Sequence, residues 1–200
     1  AQAASKLQPR LPSALCPQRP RKAMKIAAAV VLASLAGAAA KCPGSASFVH
    51  ASCQVEVDVQ ASCDDVRAEM LARVGGQSTG KWYDPHNKGT YSVLESAGSL
   101  TLQRVTRDKK YTDKIGFDFK ATAASTCVVS GCSESQVFSV ADFSTNYCNM
   151  RMMYCGSAEG CKPVLHDFGV TESSVSPSFG ASHDPSACLK VVARPLEFLN

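Results

Sequence analysis

The cysteines of this chain constrain its fold more than any other feature. Ten cysteines occur among the 200 residues, and nine of them follow a strongly apolar segment that ends at residue 40. These nine are Cys42, Cys53, Cys63, Cys127, Cys132, Cys148, Cys155, Cys161 and Cys188. This density behind an apolar leader is typical of a disulfide-stabilised domain that folds on the far side of a membrane.

Because nine is an odd number, one of these cysteines has no partner within the domain. We expect it to be Cys42, since a residue near a flexible N-terminus reaches a second chain easily, and we expect the other eight to form disulfides. Lys41 disfavours a lipid-modified Cys42, because such sites need a small residue at that position. Cys148, Cys155 and Cys161 are seven and six residues apart, without the tight pairs of structural zinc sites, so we predict no metal and no cofactor.

Residues 1–40 have the pattern of a targeting leader. The apolar run at residues 26–40 is about 15 residues long, too short to span a bilayer comfortably and typical of a signal-peptide core. We interpret residues 24–40, from Met24, as a signal peptide and residues 41–200 as one secreted domain. Residues 1–23 either precede the translated sequence or form a basic transit segment, which would direct the domain to a thylakoid-type lumen instead. An uncleaved N-terminal anchor is the least favoured alternative.

Charge distinguishes the leader from the domain. The whole chain has a net charge of +4, but residues 1–40 hold six of its 21 Lys and Arg residues and none of its 17 Asp and Glu residues. The remaining 15 basic and 17 acidic residues give the domain a net charge of −2. Binding to nucleic acid requires a net basic surface, so we expect no nucleic-acid partner, and no stable membrane span after signal cleavage.

The start of the domain shows both helix and strand periodicity. Val55, Val57 and Val59 alternate with polar residues, which predicts a strand with one buried face. Ser62 is a candidate N-cap for the following helix, and Gly75-Gly76 is its predicted end.

The rest of the domain alternates in the same way. Further strands are predicted near residues 91–93, 100–102 and 115–119, with short ones at 128–129 and 137–138, and a second helix from Ser144. Residues 171–187 are rich in Ser and Pro and predict an ordered loop, followed by a last strand near 189–193. The predicted fold class is therefore α+β: an antiparallel sheet of about five to six strands with two helices packed on one face, stabilised by disulfides.

Polar residues concentrate where the predicted strands lead into the second helix. The candidate binding cluster consists of Ser133, Ser135, Asp142, Asn146 and Arg151. In this hypothesis Arg151 holds an anion that Asp142 or Asn146 orients. The favoured alternative is that Asp142 and Ser144 cap the helix and that Arg151 pairs with a nearby acid.

No catalytic residues are predicted. A serine nucleophile needs a strained exposed turn and a histidine base within hydrogen-bond reach. Neither Ser133 nor Ser135 lies in such a motif, and the four histidines of the chain are dispersed.

The order of several motifs resembles a known family. Cys42-Pro43-Gly44-Ser45-Ala46 opens the domain, the run from Tyr111 to Phe117 follows, and Ser133-x-Ser135 … Asp142-x-x-x-Asn146 … Arg151 comes last. This order is similar to the family called domain of unknown function 1499, found in bacteria, algae and plants, over most of residues 42–154. Glu134 replaces the basic residue that often separates the two serines, and the C-terminal cysteines are unlike those of usual members. The family has no established activity, so the resemblance implies a compartment and an architecture but no reaction.

These observations favour a non-enzymatic binding domain for a small apolar ligand or a protein partner. The alternatives are a hydrolase-type enzyme that uses the Ser135, Asp142, Asn146 and Arg151 cluster, and a structural protein of an extracellular or lumenal assembly. The sequence leaves open whether the protein is an enzyme.

Overall fold

The computed structural model describes residues 41–190 of the chain, so the predicted leader lies outside the described residues. The elements in chain order are β1 (Ser52–Val59), α1 (Cys63–Thr79), β2 (Thr90–Glu95), β3 (Leu100–Val105), β4 (Thr112–Ala123), β5 (Thr126–Ser135), α2 (Thr145–Tyr154), a 3-10 helix (Ser157–Glu159), β6 (Val170–Pro177) and the short α3 (Pro185–Leu189). The predicted α+β class is confirmed.

The six strands form one antiparallel sheet in the order β2-β3-β4-β5-β1-β6. Ser52, at the start of β1, pairs with Glu134, and Asp113, at the start of β4, pairs with Ser135. One end of the sheet therefore carries the start of β1, β2 and β4 and the end of β3, β5 and β6. We call this the upper end, formed by the loops at residues 47–51, 84–89, 106–111, 136–144 and 178–184.

The hydrophobic core lies between the sheet and its two long helices. The inward positions of β1 and β4 are the alternating apolar residues expected from the sequence, among them Val57 and Ile115, which are completely buried. Met70 of α1 and Met150 and Met153 of α2 pack against them. Each fully buried side chain of this size contributes about 1.5–3 kcal/mol, so the two helices are held mainly by this face.

Helix α1 begins as predicted but ends one turn later. The Ser62 side chain accepts a hydrogen bond from the Asp65 backbone N–H at 3.1 Å, which caps the first turn. The predicted end at Gly75-Gly76 is wrong, because the Gln77 side chain exchanges hydrogen bonds of 2.9 and 3.1 Å with the Tyr91 backbone and holds the last turn against β2. The helix ends at Thr79 and is followed by the C-cap Gly80, whose φ of 71° suits glycine.

Eight cysteines form four disulfides: Cys42–Cys132, Cys63–Cys127, Cys148–Cys188 and Cys155–Cys161. Among residues 41–190 the unpaired cysteine is Cys53, so the expectation that Cys42 is free and Cys53 is bonded is wrong. The N-terminal segment lies on the outer face of the sheet, where the Gly44 N–H donates to the Glu134 carboxylate, and this places Cys42 beside Cys132. Cys53 faces the core, and burial raises the pKa of its thiol to about 12, which leaves it protonated and unreactive.

The loop predicted at residues 171–187 is wrong for its first half. Residues Val170–Pro177 form β6, an edge strand that pairs with β1. Its serines are exposed to solvent, while Val175 packs against the core. The sequence of the strand therefore resembles that of a polar loop, although its backbone pairs with β1 along one side.

Two other predicted strands are also corrected. Residues 137–138 belong to the loop between β5 and α2, where Phe138 is exposed. Of the last predicted strand, residue 189 ends α3, which Asp184 caps by accepting from the Ser186 N–H at 2.8 Å, and residues 191–193 lie outside the described part. Among residues 41–190, no helix has the length and hydrophobicity that a bilayer span requires.

Candidate ligand pocket

A pocket of about 590 Å³ opens at the upper end of the sheet, beside the N-terminus of α2. Its lining combines polar and aromatic side chains from three loops, two strands and the start of α2. The lining residues are Asn87, Lys88, Thr106, Arg107, Asp108, Tyr111, Asp113, Ser135, Ser139, Ala141, Asp142, Phe143, Thr145 and Asn146.

A row of three polar residues crosses the sheet beside this pocket, and two of them, Asp113 and Ser135, line it. Arg104, Asp113 and Ser135 are direct neighbours on β3, β4 and β5, and all three are buried. They occupy inward positions, in phase with the apolar residues of each strand. The apolar core thus becomes polar towards the upper end.

Arg104 is held mainly by one carboxylate. Its Nε and Nη2 atoms donate to Asp84 Oδ2 at 3.0 and 2.6 Å, and its Nη1 atom lies 3.9 Å from Asp113 Oδ2. Asp84 Oδ2 also accepts from the Gly89 N–H at 3.0 Å. A Cβ atom at Gly89 would lie 2.3 Å from Arg104 Nε, so only glycine lets the backbone pass this close to the guanidinium.

Asp113 is nearly inaccessible to solvent. Burial raises the pKa of Asp113. This effect outweighs the hydrogen bond from Asn149 Nδ2 at 2.8 Å, the nearby charge of Arg104 and the neighbouring Ser135 side chain, all of which lower the pKa. The carboxyl group therefore keeps its proton to higher pH than an exposed aspartate does.

Helix α2 contributes two asparagines to the same network. Ser133 Oγ donates to Asn146 Oδ1 at 2.8 Å and accepts from Asn149 Nδ2 at 3.1 Å. Both asparagines are buried. These bonds tie the end of β5 to the first two turns of α2.

The favoured alternative, that Asp142 and Ser144 cap α2, holds for the side chain of Asp142 and not for that of Ser144. Asp142 Oδ2 accepts from the backbone N–H and the side-chain Nδ2 of Asn146, both at 3.0 Å, and Asp142 Oδ1 accepts from the Ser144 N–H at 3.2 Å. Ser144 occupies the N-cap position without a side-chain capping bond, and its Oγ instead pairs with Ser182 Oγ at 2.8 Å. Both carboxylate oxygens of Asp142 therefore accept hydrogen bonds within the protein, and the residue forms part of the pocket wall.

Three buried polar atoms of this region have no hydrogen-bond partner among residues 41–190: Arg104 Nη1, Ser135 Oγ and Asn149 Oδ1. Leaving a buried polar atom unpaired costs about 1–3 kcal/mol, and native proteins rarely do so without a reason. Ser135 lines the pocket, so its hydroxyl lies beside the space available to a ligand.

Arg151 does not line the pocket. Its Nη1 atom donates to Glu172 Oε1 at 2.5 Å, and the hydroxyls of Tyr147 and Tyr154 donate to the same carboxylate at 3.0 and 2.6 Å. Arg151 thus joins α2 to the edge strand β6. Ser133, Ser135, Asp142 and Asn146 come together as the binding hypothesis supposed, while Arg151 pairs with an acid as its alternative supposed.

Sequence reasoning missed Arg104, Asp113, Arg107 and Tyr111. Arg104 and Asp113 could have been found from the strand pattern. Arg104 alternates with Leu100 and Leu102 on the buried face of β3, and Asp113 lies on the buried face of β4. A charged residue at a buried strand position indicates a buried polar site. Arg107 and Tyr111 lie in a turn, and no local pattern indicates that the turn borders a pocket.

The lining can bind and orient a ligand, but it lacks a histidine. The ring of His86 lies behind the wall, with Nε2 3.3 Å from Thr145 Oγ1 and Nδ1 3.0 Å from the Ala187 carbonyl, and burial lowers its pKa. In the described part of the chain, no group of three or more His, Cys, Asp or Glu side chains is arranged to hold a metal ion.

Comparison of the chain with protein-family models, with curated proteins and with solved structures finds no match in any of the three.

Proposed function

We propose that residues 41–200 form a non-enzymatic binding domain that holds a small ligand in the pocket at the upper end of the sheet. The pocket volume of about 590 Å³ is in the range of small-molecule sites. The observation that carries the proposal is Ser135, a residue that is 2% exposed and lines the pocket, and whose hydroxyl makes no hydrogen bond among the described residues.

The lining favours a ligand with two chemically different sides. Asp113, Ser135 and Asn146 offer hydrogen-bonding groups at the floor, which suits hydroxyl or amide groups. Tyr111 and Phe143 supply aromatic faces near the opening, where both are exposed. The apolar ligand expected from the sequence would find its contacts only at this rim, so we propose a ligand with a polar group at the floor and an apolar face at the rim.

The hydrolase alternative has weaker support. Activating a serine hydroxyl requires a base that is hydrogen-bonded to it, and Ser135 Oγ makes no hydrogen bond within residues 41–190. The carboxyl group opposite it across the sheet, that of Asp113, accepts from Asn149 instead. Arg151, proposed to hold an anion, is occupied by Glu172. The resemblance to domain of unknown function 1499 adds no reaction, and membership of that family stays a prediction.

The four disulfides and the lack of a membrane-spanning helix among the described residues are compatible with an extracellular or lumenal location. We propose secretion through the predicted signal peptide, with the thylakoid-type lumen as the alternative destination.

Native mass spectrometry of protein purified from its own source, without refolding, tests the proposed function. We expect a retained small molecule on the wild type, and its loss in the variant Ala141→Trp, which fills the pocket from an exposed lining position. Ala124→Trp, in the exposed turn between β4 and β5 at the opposite end of the sheet, is the matched control and should retain the molecule. A wild type that carries no ligand, or equal retention by both variants, would overturn the proposal.

A further inference from the structure

The upper end of the molecule exposes an unusual number of large apolar side chains. Three loops carry six of them, which together we call the apolar tip: Phe48, Val49, Phe138, Val140, Phe143 and Phe179. The four phenylalanines are 100%, 70%, 81% and 97% exposed in chain order. Exposed apolar residues are ordinary when scattered, but a group confined to one end of a domain marks an interaction surface.

The three loops are tied into one platform. The Ser139 N–H donates to the Val49 carbonyl at 3.3 Å, and Ser139 Oγ accepts from the Ala51 N–H at 2.9 Å. The third loop joins the second through the Ser182 N–H, which donates to Asp142 Oδ1 at 3.4 Å. The phenylalanines are therefore presented together on hydrogen-bonded loops that share one end of the sheet.

Positively charged side chains lie beside the apolar tip. Phe143 lines the pocket together with Lys88 and Arg107, and Arg107 lies in the turn that also carries Lys109 and Lys110. All four basic side chains are exposed. The exposed carboxylates of the upper-end loops are Asp108 and Asp184, so the exposed side chains of these loops carry two more positive than negative charges.

We propose that the apolar tip docks the protein onto the surface of a membrane that contains anionic lipids, a function that goes beyond ligand binding in the pocket. Aromatic rings that protrude from loops insert between lipid headgroups without a complementary groove. Neighbouring Lys and Arg side chains are attracted to anionic headgroups. A protein partner would need a groove for each ring. The neighbouring Lys and Arg side chains would favour such a partner only if its surface were acidic.

Co-sedimentation of the purified protein with phosphatidylcholine vesicles, with and without phosphatidylglycerol, tests this proposal. We expect the wild type to sediment with the anionic vesicles and to be released by salt. The double variant Phe48→Ser/Phe179→Ser should bind roughly tenfold or more weakly, and Lys109→Glu/Lys110→Glu should lose roughly ten- to a hundredfold. Phe143 is left unchanged because it also lines the pocket.

Two control variants change the same residue types at the far end of the sheet. Leu94→Ser removes an exposed apolar side chain, and Lys120→Glu reverses an exposed charge; both should bind anionic vesicles like the wild type. Equal unfolding midpoints for all variants would show that each one folds.

Failure of the wild type to sediment with anionic vesicles, or equal binding by the tip and control variants, would overturn the proposal. A wild type that dimerises in solution, and becomes monomeric in Phe48→Ser/Phe179→Ser, would assign the apolar tip to a second copy of the chain instead. Ligand retention in native mass spectra is independent of these results, so either proposal can fail alone.

Discussion

The described part of the chain, residues 41–190, contains two fully buried arginines, and their hydrogen bonding differs. Arg73 of α1 donates from Nε to Glu69 at 2.6 Å, from Nη1 to the Met152 carbonyl at 2.9 Å and from Nη2 to the Cys155 carbonyl at 2.7 Å. Glu69 in turn accepts from three consecutive backbone N–H groups, those of residues 164–166, at 2.6–2.9 Å. Every nitrogen of this guanidinium has an acceptor.

Arg104 is as completely buried as Arg73, yet one of its nitrogens is unpaired. Its Nη1 atom, Ser135 Oγ and Asn149 Oδ1 all lack partners among the described residues. The Arg73 network is closed and joins α1 to α2 and the loop that follows. The Arg104 network is incomplete and borders a pocket, which is the pattern expected where a ligand completes the hydrogen bonds.

The largest expected effect comes from opening the closed network. Arg73→Met leaves the Glu69 carboxylate buried without its cation, which should lower the free energy of unfolding by about 3–5 kcal/mol. Arg67→Met on the same helix is the matched control, because Arg67 is only partly buried and donates to the carbonyls of Gly98 and Ser99; it should cost about 1 kcal/mol or less. Urea unfolding under oxidising conditions measures both, and equal losses would show that the Arg73 network is not a main source of stability.

The two networks should also respond to pH with opposite signs. Burial raises the pKa of Glu69, but Arg73 and three backbone N–H groups lower it more, so the folded pKa lies below the ordinary 4.5. The stability that Glu69 contributes is present above pH 4.5 and is lost as the pH falls through the folded pKa. For Asp113 burial dominates and the folded pKa lies above the ordinary 3.8, so its contribution is present below pH 3.8 and is lost as the pH rises through the folded pKa.

Unfolding free energies of Glu69→Gln and Asp113→Asn, measured against the wild type at several acidic pH values, test these signs. The advantage of the wild type over Glu69→Gln should grow as the pH rises towards 4.5, and its advantage over Asp113→Asn should shrink as the pH rises above 3.8. Slopes of the same sign would contradict the distinction between the two networks.

Much of the fold was readable because strand residues facing the core are apolar and alternate. Strand β6 was not predicted, because it is held by backbone hydrogen bonds to β1, which no side-chain pattern indicates. Serine is not among the residue types enriched in strands, so the serines of β6 are equally compatible with a loop. The unpaired cysteine could not be identified from the sequence either, because the Cys42–Cys132 disulfide forms only when residues 41–47 lie against the outer face of the sheet.

Helix geometry explains why Arg151 lies apart from the other residues of the candidate cluster. Arg151 follows Asn146 by five residues, and at about 3.6 residues per turn it points to a different side of α2. The residues nearer the start of the helix share the pocket with the end of β5, whereas Arg151 faces β6. Ser133 and Asn146 lie close together because α2 is the next element after β5, so the end of the strand is near the start of the helix. This order of elements could be predicted from the sequence.

The smallest expected difference lies between two serines on the same face of β5. Ser133 Oγ is paired on both sides, so Ser133→Ala should leave Asn146 Oδ1 unsatisfied and lower the free energy of unfolding by about 1–3 kcal/mol. Ser135 Oγ has no partner, so Ser135→Ala removes no bond and should change stability by about 0.5 kcal/mol or less. The same variant should weaken ligand retention in native mass spectra if that hydroxyl binds the ligand. A clear loss of stability in Ser135→Ala would mean that the hydroxyl is paired within the protein, and the Arg104 network would then be as closed as that of Arg73.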